Sequence, residues 1–216
     1  FGIVDDAVVQ EAEKQEIILR LFRYSYEYAM GFVDRETVER AELIMNELNL
    51  KITDRFVVEP ARKAAQDAEL KKKGHEGIFC GAAIELRDGS IVVGKNSPLM
   101  HAASSLILNA IKKLAEIPDK IHMLSPNTID SIAKLKKSVS KKKVVSLNLE
   151  EALIALCINA ATNPAAQLAM EKLQELENCE VHMTHIPTPG DEEGLRRLGI
   201  NLTCDPHFST HSLFAI

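Results

Sequence analysis

The segment IFCGAAIELRDGSIVVGKNSPLMHAASSLILNAIKKLAEIPDKIHMLS, residues 78–125, decides the fold of this chain. IFCGAAIEL (residues 78–86) and SIVVG (residues 90–94) are β-rich runs separated by Arg87-Asp88-Gly89. An Asp-Gly pair between two such runs signals a tight hairpin, because glycine accepts the left-handed backbone the turn demands. The loop Lys95-Asn96-Ser97-Pro98 then leads into LMHAASSLILNAIKKLAEI, which is apolar at helical spacing and begins around Leu99. IHMLS follows and reads as a short buried strand over residues 121–124.

Upstream, residues 1–75 read as a helical leader. Val8, Ala12, Leu19, Phe22, Tyr26 and Ala29 recur at helical spacing, with Gly31 as a stop. Asp34 reads as the N-cap of a second helix in which Val38, Ala41, Met45 and Leu48 share a face. Pro60 suits the first turn of a third, which ends in Lys71-Lys72-Lys73 and a C-terminal Gly74.

Downstream, strands and helices alternate. Residues 126–137 read as a short helix, and residues 134–143 carry six lysines, a composition suited to a solvated loop. Asn148 and Glu151 have capping-box spacing ahead of an apolar helix, and Asn163-Pro164 ends it and starts another. CEVHMTHI (residues 179–186) alternates as a strand. Residues 191–198 form a short helix stopped by Gly199, and INLTC (residues 200–204) is a closing strand. The expected fold is α/β: the leader, then over residues 76–216 a three-layer α/β/α domain with a mixed sheet.

Composition narrows the function classes. In 216 residues, 46% are hydrophobic and 26% charged, as in ordinary globular proteins, and the formal net charge of −5 gives no drive toward nucleic acid or anionic membrane. No apolar stretch approaches a membrane span and no signal-peptide pattern opens the chain, so a soluble cytoplasmic protein is expected. Cys80, Cys157, Cys179 and Cys204 are scattered, which suits reduced thiols. The chain opens at Phe1 without an initiator methionine and reads as a fragment or processed product.

The order strand, turn, strand, helix, strand resembles the opening of the cytidine-deaminase-like fold. The segments FGIVDDAVV, RAELIMNELNL, GAAIELRDGSIVVGKNSPLMHAASSLILNAIKKLAEIPDKIHMLSP, LNLEEALIALCINAATNPAAQLAMEKLQEL and LRRLGINLTCDP go further. Together they resemble the C-terminal part of a bacterial family of uncharacterised proteins, domain of unknown function eighteen-forty-six. That resemblance implies a preceding α/β region with a glycine-rich loop like a phosphate-binding loop. This chain would then be the companion domain of a larger nucleotide- or phosphometabolite-binding protein, partnered by the remainder of the parent. The HMTHIP stretch and His207-Phe208-Ser209-Thr210-His211 are richer in histidine than the family pattern.

A zinc deaminase needs a Glu two residues after its first ligand and a Pro-Cys-x-x-Cys at the next helix. Here Ala102 and Ala103 follow His101, and Ser125-Pro126-Asn127-Thr128 contains no cysteine, so no metal is expected. The remaining candidate is an anion site in which Lys95, Asn96 and Ser97 meet the first turns of a helix bearing His101, Ser104 and Ser105. Free N–H groups and a partial positive charge at a helix start favour phosphate or carboxylate. The plainer reading has Asn96 or Ser97 capping the turn.

Elsewhere, His182 and His185 would point to opposite faces of a strand, and Cys204, His207 and His211 have loosely metal-like spacing. Asp88 and Asp205 read as turn residues. The ligand expected is a nucleotide or phosphorylated small molecule; the cofactor and the existence of an enzymatic reaction stay open. The alternative is a non-catalytic assembly domain, forming a homo-oligomer through the helical leader and the apolar faces of residues 149–161 and 164–176.

Overall fold

The computed structural model describes residues 6–140 and 145–209. Three helices open it: α1 (Asp6–Ala29), α2 (Arg35–Glu47) and α3 (Val58–Leu70). α2 starts where the sequence places it, since Asp34 accepts the Thr37 N–H at 2.9 Å. α3 ends sooner than its lysines suggest. Lys72 takes a φ of 49°, and the N–H groups of Lys72 and Lys73 return to the carbonyls of Glu69 and Ala68. A lysine thus holds the left-handed position expected of Gly74.

The hairpin forms from β1 (Gly81–Glu85) and β2 (Ile91–Lys95), with Ala83 opposite Val93. The chain continues through α4 (Ala102–Leu114), α5 (Pro126–Ser140), α6 (Leu149–Ala160) and α7 (Pro164–Glu171). It ends in β3 (Glu180–Met183), α8 (Pro189–Arg197) and β4 (Asn201–Cys204). The fold is therefore mixed α/β, with eight α-helices and a four-stranded sheet of order β2-β1-β3-β4 among the described residues. β1 is antiparallel to both neighbours while β3 and β4 are parallel, so β2, β3 and β4 share one direction.

Two expectations are corrected. No strand forms at residues 121–124, because β2 and β3 occupy both edges of β1 and side chains meet the segment's polar groups. Lys112 Nζ donates to the carbonyls of Asp119 and Ile121, and Asn163 Nδ2 to that of His122. Met123 and Leu124 still bury their side chains in the main core. The expected order strand, turn, strand, helix, strand therefore lacks its last strand. The lysine-rich stretch is also not simply a loop: Lys134, Lys136 and Lys137 lie on α5, whereas Lys141, Lys142 and Lys143 fall outside the described residues.

Alternation along β1 splits the packing between two faces. Ala82 and Ile84 enter the main core with α4, α6 and α8, whereas Ala83 packs on Val57 and Ala61 beside α3. Helices thus cover both faces, and α3 supplies one of those layers. The approach is close: a Cβ on Gly94 would lie 2.3 Å from the Leu106 nitrogen, and one on Gly81 would lie 2.2 Å from the Ala61 carbonyl oxygen. α1 reaches the same side, where Phe22 tilts against the His182 ring at a centroid distance of 4.9 Å. No helix among the described residues is long and apolar enough to cross a membrane.

Candidate functional site

Because β2, β3 and β4 share a direction, their carboxyl ends lie along one edge of the sheet. Open α/β sheets seat their ligands at such an edge. Three loops leave it here, residues 96–101 toward α4, 184–188 toward α8, and 205–209 after β4. Backbone bonds fasten them: the His101 N–H donates to the Leu147 carbonyl at 2.9 Å, and the Ile186 N–H to that of His207 at 2.8 Å.

Asp191 lies at the centre of this edge. It is the third residue of α8 and has no exposed surface. One carboxylate oxygen stands 2.7 Å from His101 Nδ1 and accepts the Thr188 hydroxyl at 2.6 Å; the other accepts the Leu149 N–H at 2.9 Å. The first turn of α8, the first residue of α6 and the N-cap residue of α4 thus converge on one carboxylate. Burial pushes the Asp191 carboxyl up, but the bonds from His101, Thr188 and Leu149 outweigh it and hold the group below the usual carboxylate range.

An ionised Asp191 fixes the tautomer of its neighbour. In its neutral form His101 then donates the Nδ1 proton to the carboxylate and carries its lone pair on Nε2. The His101 side chain is 21% exposed. α4 begins at His101 with no side-chain cap, and the Ser104 hydroxyl donates to the Leu147 carbonyl at 2.9 Å instead. The arrangement can exchange a proton at Nε2 beside N–H groups that favour negative charge.

Of the residues expected from sequence, His101 alone reaches this centre with its functional group. Asn96 joins two segments, accepting the Cys80 N–H at 2.8 Å and donating to the Ile78 carbonyl at 2.9 Å. Ser97 caps its own turn by accepting the N–H groups of Leu99 and Met100. Ser105 is half-buried on α4, and its N–H closes the first helical bond to His101. Lys95 pairs with Gly81, so it shares the α3 face of the hairpin, whereas α4 covers the opposite face through Val92 and Gly94.

Asp191 and Thr188 escape the sequence reading as site residues, and His185 enters it only as a poor metal ligand. The spacing Thr188-Pro189-Gly190-Asp191, a hydroxyl three residues before an acid at a helix start, was the available signal. His185 follows β3 and lines a cavity of about 290 Å³ with Cys80 and Thr184. Burial, then the nearby Asp191 charge, pushes the Cys80 thiol up to about 12, so this cysteine is no nucleophile at neutral pH. A second cavity of about 320 Å³ lies between α1 and β4, lined by Arg20, Arg23, Tyr26, Glu192 and Cys204. Among the described residues no three potential metal ligands come together, and His211 lies outside them.

Residues 53–214 match the C-terminal model of the domain of unknown function DUF1846, and residues 1–49 match its N-terminal model. This chain belongs to the DUF1846 family. It is 50% identical over 215 residues to a UPF0371 protein of Clostridium botulinum strain ATCC 19397 / Type A. It is 49% identical over the same length to UPF0371 proteins of strains Langeland and Eklund 17B. In each case the match takes in 99% of this chain and 42% of the relative, so the chain spans less than half the length of the curated relatives it matches.

The start of the DUF1846 C-terminal segment is anchored to the sheet by charge. Arg55, 3% exposed, donates to Thr203 Oγ1 and to the carbonyls of Val181 and Asn201, and pairs with Glu180. Arg62 on α3 grips Asp205 with two bonds of 2.6 and 3.1 Å. His182 Nε2 lies 3.5 Å from the same carboxylate, and His182 Nδ1 lies 2.9 Å from Thr203 Oγ1. Burial pushes the Asp205 carboxyl up, but bonds from His182 and Arg62 hold it well below the usual range. These groups are committed to one another, whereas the pair of His101 with Asp191 keeps one part-exposed member.

Proposed function

We propose that this chain is the companion domain of a larger cytoplasmic bacterial protein and binds a nucleotide or phosphorylated metabolite at the carboxyl edge of its sheet. In this reading His101, oriented by Asp191, exchanges a proton with the ligand through Nε2. The observation that carries it is the 2.7 Å contact between a part-exposed imidazole and a fully buried carboxylate, placed at the uncapped start of α4. An oriented imidazole of this kind is a general acid–base catalyst in need of a substrate, and the adjacent helix start supports an anionic one. Lys95 is not required, because it lies on the other face of the hairpin.

The test is a thermal-shift panel of nucleotides and sugar phosphates, run on the wild-type chain and on His101→Ala. At least one compound should raise the wild-type melting temperature, since a ligand that binds only the folded state stabilises it. Binding to His101→Ala should be weaker by tenfold or more. No shift with any compound, or equal binding by the variant, removes the reading.

A second reading, a non-catalytic assembly domain, is favoured by one feature. Ile154 and Ile158 on α6 and Leu168 on α7 are 59%, 56% and 52% exposed and supply apolar surface for a subunit contact. Measuring the mass in solution of wild type and Ile154→Glu tests it, with a dimer that dissociates in the variant as the supporting result.

A further inference from the structure

His185 is unusual among the buried polar side chains of this edge. It is 6% exposed, its Nδ1 is buried without a partner, and neither ring nitrogen is hydrogen-bonded among the described residues. Leaving a buried polar atom unpaired costs about 1–3 kcal/mol, so such groups are rare without a reason. The ring also forms part of the wall of the 290 Å³ cavity, together with Glu69, Phe79, Cys80, Thr184 and Phe208. The ring also lies near enough to Asp191 and Asp205 for their negative charges to act on it. The cavity and the His101–Asp191 pair therefore lie on the same edge of the sheet, with His185 within electrostatic reach of Asp191.

The chemistry of the wall selects what enters. No lysine or arginine lines the cavity, and the one carboxylate there, Glu69, repels anions. Thr184 Oγ1 is already used twice, accepting the Gly81 N–H at 2.9 Å and donating to the Gly81 carbonyl at 3.2 Å. The His185 ring, the Ser209 hydroxyl and the Glu69 carboxylate remain to meet a ligand, and of these three only His185 is buried. Burial, opposed by Asp191, lowers its pKa to about 4, so it meets a ligand as a neutral imidazole. Phe79 adds aromatic surface to a wall that is otherwise mostly polar.

We infer that the His185 cavity binds the uncharged, hydrogen-bonding end of the ligand, an amide or the edge of a heterocyclic base, while its anionic end lies at His101. The inference rests on the proposed function only for the position of the anionic end. It narrows the substrate class: a nucleotide-like compound with one neutral planar end fits this edge, and a compound charged at both ends does not.

The test separates the two ends. Adenosine, guanosine, cytidine and uridine, which carry no phosphate, are titrated by calorimetry into wild type, His185→Phe and His101→Ala, with ribose as a control. At least one nucleoside should bind the wild type and His101→Ala within twofold of each other, and bind His185→Phe at least tenfold more weakly. Phenylalanine removes the unpaired nitrogen, and the adjoining cavity accommodates its larger ring, so His185→Phe should also melt no lower than the wild type, which keeps a loss of binding from being a loss of fold. Absence of binding by all four nucleosides, equal binding by His185→Phe, or a lower melting temperature for that variant overturns the inference. Nucleoside binding that depends on His185, with phosphate compounds indifferent to His101, would uphold the assignment of the neutral end to His185, overturn the placing of the anionic end at His101, and sink the proposed function.

Discussion

His101 Nδ1 lies 2.7 Å from a carboxylate oxygen of Asp191, a residue with no exposed surface, across ninety positions of sequence. The carboxylate also holds the Leu149 N–H and the Thr188 hydroxyl, so its removal strips three donors at once. Asp191→Ala should cost about 3–5 kcal/mol of unfolding free energy, the range for breaking a buried charged pair. Asp191→Asn keeps the shape and one acceptor and should cost less, about 1–3 kcal/mol. Urea unfolding of both variants checks the order, and a smaller loss for alanine than for asparagine would refute this account of the carboxylate.

Acid should weaken the fold through His185 well before the carboxylates titrate. The free histidine titrates near 6.5 and the folded one at about 4, so between these values the unfolded chain holds a proton that the folded chain lacks. Its contribution is present above pH 6.5 and is lost as pH falls toward 4, amounting to roughly 3 kcal/mol over that span. His182, also lowered by burial, adds a slope of the same sign. His185→Phe should therefore flatten the loss of stability between pH 7 and 4.5 without abolishing it. Unfolding curves at several pH values decide this, and parallel slopes in the two proteins would contradict it.

The parts of the fold that were legible in the sequence are the local ones. The Asp-Gly hairpin, the Asp34 cap, the Asn148 and Glu151 capping box and the Asn163 cap each depend on residues within four positions, and each forms. What was not legible depends on distant partners. Asp191 reads as an ordinary acid in a helix start until residues 101 and 149 are brought beside it. Residues 121–124 have strand composition, but Lys112 and Asn163 take up their carbonyls. Lys95 adjoins Asn96 in sequence, yet strand alternation sends its side chain to the face away from α4.

Arg55 should prove costly to remove. Its guanidinium meets Thr203, two strand carbonyls and Glu180 while almost wholly buried, and burial lowers its pKa while Glu180 opposes that shift. Arg55→Met leaves those acceptors without their donor and should destabilise the chain by about 3–5 kcal/mol. Adding Glu180→Met should recover part of the loss, because the partner charge is then no longer stranded. Unfolding midpoints for the two single variants and the double variant measure the coupling, and strict additivity would show that the pair does not act together.

Two glycines of the hairpin should respond differently to alanine, and the contrast tests how α4 positions the site. At Gly94 a Cβ would meet the Leu106 nitrogen at 2.3 Å and the Ala102 carbonyl oxygen at 2.7 Å, backbone atoms that move only with the helix. Gly94→Ala should therefore push the first turns of α4 off the sheet, costing about 1–3 kcal/mol as overpacking does, and carry His101 away from Asp191. At Gly89 nothing lies within 4 Å of the added carbon, and only the φ of 77° resists it. Gly89→Ala should cost about 1 kcal/mol through the backbone alone and leave the site untouched. Binding of a compound identified by thermal shift separates the two: it should weaken at least tenfold in Gly94→Ala and stay within twofold of wild type in Gly89→Ala. Equal binding by both variants would mean that the seat of α4 on β2 does not set the geometry of His101.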